Sequence, residues 1–444
     1  MHSFDLSLEH ITKVEGNASL SLKVREGKVT EVKFAITEYK RFFTEAMQGK
    51  APAAIPPHLA RICGTCSNAH IICSIEACEN ALGITPSAQT KLLRALTIHG
   101  LIIRDHALHL YLFSLPDIFS KDAFLDLDEN NPNEHQILHD GFETKAAGNY
   151  LATMVAGRSV HATYPVIGGF LHFPSAEEKI EAIKKLEAIR PAVLRLVEIF
   201  KNAPFHFDRQ TKYMALVPPD NFGYIYGKIT TSKNEVYDES EFRKHLEHVV
   251  LPYSQASAYT YEGEGYMVGA LARINLAREK LHPKTKESLG EVLKLFPATD
   301  IYYNNLAQAI EILHSIDESI EILTNNKFEP EEIIKPAAAE SSGAAKELVG
   351  IGVIEAPRGT LYHKVVIGTD GKVSAGEVVV PTGQNQINIE RDIARLVQSL
   401  IDQPDFDPNS IGAKTKINFE IEKLIRAYDP CMSCGTHFLK VEWV

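Results

Sequence analysis

Two pairs of cysteines at opposite ends of the chain limit what it can become. Cys63-Gly64-Thr65-Cys66 lies near the N-terminus and Cys431-Met432-Ser433-Cys434 near the C-terminus, each with two residues between the thiols. At that spacing both sulfurs of a pair can grip one soft metal as thiolates, but one pair is only half a site. Pro430 fixes the backbone just ahead of the second pair. If both pairs hold the same metal site, residue 63 must meet residue 434, and nearly the whole fold is arranged around that meeting. Independent domains are then disfavoured, although a length of 444 residues by itself suggests two or three.

Composition narrows the function. With 45% hydrophobic residues the chain can bury a large core, and its formal net charge of -11 works against sequence-independent nucleic-acid binding, which relies on cations at phosphates. No apolar run approaches the roughly 20 residues needed to span a bilayer. The start Met-His-Ser-Phe-Asp has neither the charged nor the apolar region of a secretory signal. The expected location is the cytoplasm, where six cysteines with paired spacing favour metal or redox chemistry over disulfides.

Leu20, Leu22 and Val24 before Glu26-Gly27, and Val29, Val32 and Phe34 after it, predict a β-hairpin over 19–36. Pro52, Pro56 and Pro57 predict an extended approach to the first cysteine pair. Helices are expected over Asn68 to Leu82, stopped by Gly83, and from Ser87 as N-cap towards Leu115, ended by Pro116. Asp128 to Glu134 reads as a polar loop. A capping box from Ser175 to Glu178 opens another helix, with Pro191 as its candidate kink. Further helices are expected near 262–280 and 301–325, then a flexible Ala- and Ser-rich stretch at 336–346. A second hairpin, Leu361 to Ile367 and Lys372 to Val380, turns at Asp370-Gly371, and Asn385 is the expected cap of a following helix. The fold class expected is α+β, predominantly α: a large helical body with small antiparallel sheets and a metal site buried between the N- and C-terminal cysteine pairs. The chain reads as one domain, with a hairpin region (1–60), a helical body (61–335) and a C-terminal part (347–444) that carries the second hairpin and the metal-binding segment.

On spacing alone, two such cysteine pairs most often mean structural zinc. Zinc ribbons, however, are usually local devices in small domains, and a chain of this length needs no metal staple. Arg61, His70, Asp429 and His437 also sit within four residues of a cysteine, more charge chemistry than a passive zinc needs.

Arg61-x-Cys63-Gly-x-Cys66 with His70 beyond it, joined with Asp429-Pro-Cys431-x-x-Cys434-x-x-His437, resembles the paired signature of the nickel-iron hydrogenase large subunit. The likeness extends through Lys13-Val14-Glu15-Gly16, Gly157-Arg158-x-x-His161, Glu355-Ala356-Pro357-Arg358-Gly359 and Pro381-Thr382-x-Gln384-Asn385, essentially the full chain. The resemblance implies an enzyme of the soluble, cytoplasmic type that cleaves dihydrogen heterolytically and reversibly. Cys63 and Cys431 would be terminal nickel ligands, while Cys66 and Cys434 would bridge nickel to an iron carrying carbon monoxide and cyanide. Pro357 and Arg358 would line the iron side, Thr382 would donate to a cyanide, and Asp105 and Asp429 would steady Arg358. Glu15 would carry the proton away after exchange with a terminal or bridging sulfur, which places Cys434 among the catalytic residues. His437 would ligate a magnesium ion, with the Val378 carbonyl a weaker candidate, and His70 and His161 would hydrogen-bond around the site.

Bland readings stand beside these. Outside its motif Arg358 would read as a surface ion pair and Glu15 as a solvated carboxylate. Cys73 and Cys78 read as buried small residues, and His99, His106 and His109 as packing or interface histidines on one helical face. The chain also departs from the family pattern. Thr44, with Glu45 beside it, stands where a magnesium-ligating glutamate is common, Lys13 stands for an arginine and Asn17 for a histidine, and Phe438–Val444 follows the histidine after which the family is commonly cut. With Cys73 and Cys78 read as buried small residues, no cysteines remain to hold iron-sulfur clusters. Electrons would therefore leave through an iron-sulfur small subunit, and then through diaphorase-type subunits to NAD(P) or another carrier. The alternatives are a non-catalytic hydrogenase-like subunit of a respiratory-type complex, whose members lack the four cysteines, a hydrogen sensor, and a zinc-stapled globular protein.

Overall fold

A computed structural model describes residues 3–39, 42–336, 346–404, 406–407 and 410–436. The first hairpin forms as expected and gains a strand. β1 (Phe4–Leu8), β2 (Ala18–Arg25) and β3 (Lys28–Ile36) make an antiparallel meander in that order. Alternation buries Leu20, Leu22, Val24, Phe34 and Ile36 on its covered face.

The long helices among the described residues are α1 (Ser67–Leu82), α2 (Ala88–Ala107), α3 (Pro132–Ala156), α4 (Ala176–Lys201), α5 (Tyr303–Asn325), α6 (Pro381–Ile401) and α7 (Ile411–Tyr428). α1 starts directly after Cys66, stops at Gly83 and is buried on nearly every face, which marks it as the central helix. α2 is capped by the Ser87 hydroxyl, which accepts the Thr90 N–H. The capping box at Ser175 is present, and α4 runs through Pro191.

In the middle of the chain, β4 (Lys212–Val217), β5 (Lys228–Thr231), β6 (Val236–Tyr237) and β7 (Tyr266–Met267) form a sheet of order β7-β4-β5-β6, with the short β7 pairing parallel to β4. The second hairpin, too, gains a strand: β8 (Leu348–Ala356), β9 (Gly359–Ile367) and β10 (Val373–Val379) are antiparallel neighbours. β8 lies directly on α1. A Cβ on Gly352 would sit 2.3 Å from the Cys73 carbonyl oxygen, so only glycine allows the two backbones to approach this closely.

Several local expectations give way to helix geometry. Pro52, Pro56 and Pro57 do not extend the chain but open helical turns (Pro52–Ala54 and Ile55–Leu59), where a fixed φ and a missing N–H cost nothing. Past Ala107, α2 widens into a π-helical turn (Leu108–Ser114), and Pro116 sits inside the short helix Leu115–Ile118 that follows. Asn131 caps α3, so the polar loop ends earlier than composition suggested. The segment 262–280 yields β7 and then a helix only over Ala270–Ala277. Asn385 lies within α6, where its side chain accepts from the Val268 N–H and donates to the Val268 carbonyl. Most of the stretch 336–346 lies outside the described residues. One apolar cluster runs from Leu6 to Cys434, and no helix among the described residues is long and apolar enough to cross a membrane.

Candidate metal centre

The sulfurs of Cys63, Cys66, Cys431 and Cys434 lie within 4.8 Å of one another and all four residues are buried. The closest contacts join the two ends of the chain: Cys63 to Cys431 at 3.3 Å and Cys66 to Cys434 at 3.1 Å. Locally, the turn through Gly64 aims the N–H groups of Thr65 and Cys66 at the Cys63 sulfur, at 3.3 and 3.4 Å, before α1 begins. At the other end α7 finishes in Asp429, whose left-handed backbone (φ 50) turns the chain into Pro430. Cys431 then bridges to Glu15 and its N–H donates to the Thr382 hydroxyl oxygen at 2.9 Å. Thr382 keeps its own proton to give.

The donor set suits a metal. Hydrogen bonds from Cys431, Cys434 and Cys66 hold the Cys63 thiol well below its ordinary pKa, while burial and then Cys434, Cys63 and Cys66 hold Cys431 well above its own. Thiolates crowded together in a buried site repel one another, and a cation at their centre would relieve that repulsion. Beside the sulfurs, Arg358 Nε and Arg104 Nε are buried donors without a partner, as is the acceptor Asp105 Oδ1. Small polar metal ligands would satisfy such donors.

Arg358 occupies a two-residue turn between β8 and β9. Gly359, at φ +130, makes that turn possible, since a Cβ there would lie 2.6 Å from Val268 Cγ2. The guanidinium is buried, donating from Nη1 to Asp105 Oδ2 at 2.7 Å and from Nη2 to Asp429 Oδ1 at 2.9 Å. Burial opposes its charge, but the two carboxylates outweigh burial and hold its pKa well above the usual value. Behind the turn, Arg273 donates to the carbonyls of Ala356 (3.0 Å) and Pro357 (2.9 Å) while pairing with Glu311 and Glu355.

Glu15 Oε2 accepts the Ser433 N–H and lies 3.1 Å from the Cys431 sulfur. Burial, and then the charge on Cys63, raise the Glu15 pKa. The carboxylate therefore touches a sulfur in the pair Cys63–Cys431. Cys434 instead faces His70 Nε2 at 3.7 Å, and His70 Nδ1 lies 3.1 Å from His363 Nε2. His161 is half-buried, with its backbone N–H on Ser67, and Arg61 is exposed. Lys13 and Arg426 share the Asp117 carboxylate. Val378 lies in β10 opposite His363, Thr44 is buried ahead of the turn Glu45–Met47, and His437 and the tail after it lie outside the described residues. The cysteines expected to be inert are buried, Cys78 with its thiol pushed up to about 12 by burial.

Motif reading misses several neighbours. Arg104 donates from Nη2 to the Thr65 carbonyl within the first cysteine loop. Gln308 donates to Asp429 Oδ2 at 2.9 Å, and Arg273 braces the Arg358 turn. The one available signal is charge on otherwise apolar helices, as with Arg104-Asp105 on α2.

The sequence profile of the nickel-dependent hydrogenases matches residues 41–155 and 224–437. The alpha subunit of sulfhydrogenase 2 from Pyrococcus furiosus is 30% identical over 443 residues, covering 98% of this chain and 100% of that protein. A chain of the vhc F420-non-reducing hydrogenase of Methanococcus voltae is 26% identical, covering 98% of this chain and 96% of its own length. Among solved structures, a NAD+-reducing nickel-iron hydrogenase shares the fold with a TM-score of 0.84 at 23% identity, covering 98% of this chain and 99% of that one. A nickel-iron-selenium hydrogenase from Dm. baculatum does so at 0.73 and 20% identity, covering 98% of this chain and 100% of its own. With the four cysteines gathered as its fold requires, the chain belongs to the nickel-dependent hydrogenase family, as a large subunit of the nickel-iron type.

Proposed function

We propose that this chain is the catalytic subunit for reversible, heterolytic cleavage of dihydrogen into protons and electrons. The observation that carries the proposal is the buried sulfur quartet with a carboxylate against the Cys431 sulfur and a doubly anchored guanidinium close enough to feel the charge of Cys431 and Cys66. Cys63 and Cys431 would be ligands of nickel, and Cys66 and Cys434 would be ligands of both nickel and an iron carrying carbon monoxide and cyanide. When bound, the metal pair supplies the Lewis-acidic and redox centre at which dihydrogen is polarised and split. Arg358 and Thr382 are donors suited to the diatomic ligands, Pro357 lines the same side, and Asp105 and Asp429 keep the guanidinium charged and oriented. Glu15 accepts the proton next to the Cys431 sulfur and passes it outward. Burial of the quartet excludes bulk water from the proton and electron transfers.

In the same reading the chain is one domain with its three parts at 1–60, 61–335 and 347–444. A magnesium ion would bind near the C-terminus through His437, with the Val378 carbonyl as a weaker ligand. Electrons would leave through an iron-sulfur small subunit, and the resemblance to a NAD+-reducing hydrogenase supports diaphorase-type partners that pass them to NAD(P) in the cytoplasm. The test is turnover. Protein purified anaerobically with its partners should contain nickel and iron in equal amounts and reduce a viologen dye with dihydrogen. Zinc alone, or nickel and iron without turnover, would contradict the catalytic reading.

A further inference from the structure

Three histidines, His99 and His106 in α2 and His109 in the π-helical turn, take no part in the proposed chemistry, yet one is tied to it through a single amide. His109 lies in the turn Leu108–Ser114, a widened turn of a kind frequent at functional sites, and is only 1% exposed. Its Nδ1 is 2.6 Å from Gln308 Oε1. Gln308 Nε2 donates to Asp429 Oδ2 at 2.9 Å, and the other Asp429 oxygen accepts Arg358 Nη2 at 2.9 Å.

Chemistry fixes the direction of this chain of bonds. A carboxylate bonded to a guanidinium only accepts, so Gln308 must turn its NH2 towards Asp429 and its carbonyl oxygen towards His109. His109 must then carry a proton on Nδ1. Its other nitrogen sits 3.1 Å from the Ser114 hydroxyl, which can donate to it, and 2.8 Å from the Arg426 carbonyl, an acceptor that bonds the ring only when Nε2 is protonated as well. Without a donor at 109 the Gln308 carbonyl loses its partner and the amide is held at its other end by the bond to Asp429 alone, which leaves Asp429 less firmly fixed against Arg358.

We infer that His109 and Gln308 are positioning residues for Arg358: they lock Asp429 in the orientation that anchors one arm of the guanidinium beside the four sulfurs, while Asp105 anchors the other. The inference rests on the proposed centre and goes beyond it by naming what holds its arginine in place. Asparagine at 109 can offer an amide N–H near the position of the histidine Nδ1, whereas glutamine places its N–H nearer the position of Nε2 and leaves Gln308 unlocked.

The experiment compares His109→Asn, His109→Gln and Gln308→Met holoenzymes, each with its partner subunits, by infrared spectroscopy of bound carbon monoxide and cyanide together with nickel and iron analysis. His109→Asn should keep the wild-type band positions. His109→Gln should shift the cyanide bands at unchanged metal content and lower turnover about tenfold, roughly the worth of one charge-assisted hydrogen bond. Gln308→Met should reproduce that shift. Matching spectra for the Asn and Gln variants, or wild-type bands in Gln308→Met, would overturn the inference, and Gln308→Met decides the matter if neither His109 variant loads its metals. A wild-type enzyme with no such bands would instead remove the proposed centre. Crystal structures of the same variants would then still decide whether Asp429 swings off Arg358.

Discussion

Glu15 and Arg358 reach the sulfurs from distant parts of the chain, and substitution should separate their roles. Glu15→Gln keeps an oxygen for the Ser433 N–H, so the metals should stay bound, while exchange of dihydrogen with solvent deuterium falls about 100-fold or more, the typical worth of a positioned acid-base group. Unchanged exchange would exclude Glu15 as proton carrier. Arg358→Lys leaves a point charge that cannot reach both Asp105 and Asp429 in parallel, and turnover should fall about tenfold to 100-fold with metals retained. Away from the centre, burial and then Asp238 push Glu239 up to about 7. Its folded-state value lies above the ordinary 4.5, so its contribution favours the fold below about pH 4.5 and is lost as pH rises through 7. Glu239→Gln should therefore be more stable than wild type at pH 8 by about 2 kcal/mol and nearly equal at pH 5, read from melting temperatures. At this scale the motif-borne residues were legible because spacing betrays them. Gln308 and Arg104 were not, because what they touch lies far away in sequence and carries no pattern.

Among the elements, those with one wet face were easiest to anticipate. The hairpin at β2 and β3 and the striped α4 follow directly from periods of two and 3.6. β8 was missed because most of it is buried on both faces and shows no alternation, and the proline-rich run before Cys63 was misread because a proline that ends one helix can begin another. The contact between β8 and α1 carries its own prediction, since β8 leads into the Arg358 turn and α1 follows Cys66. Gly352→Ala must push apart two backbones already in contact, which should cost about 2–4 kcal/mol and lower both melting temperature and activity. A melting temperature equal to wild type would show that the interface yields more easily than its geometry indicates.

For the molecule as a whole, four sulfurs from opposite ends of one chain meet in a core shared by sheets and helices from every part of it. That meeting could be anticipated from two short motifs, whereas the route the chain takes between them could not, since it depends on contacts such as Arg273 with Glu311 and Glu355 that have no local signature. Metal loading and folding should be coupled here, so removing the metals should expose Asp429–Thr436 to hydrogen exchange while α1, packed against β8, stays protected. The most direct test of the centre itself is infrared spectroscopy of the anaerobically purified protein. Bands from metal-bound carbon monoxide and cyanide, in a protein with nickel and iron in equal amounts, are the predicted result; a spectrum without such bands, from a protein whose four cysteines hold zinc alone, would contradict it.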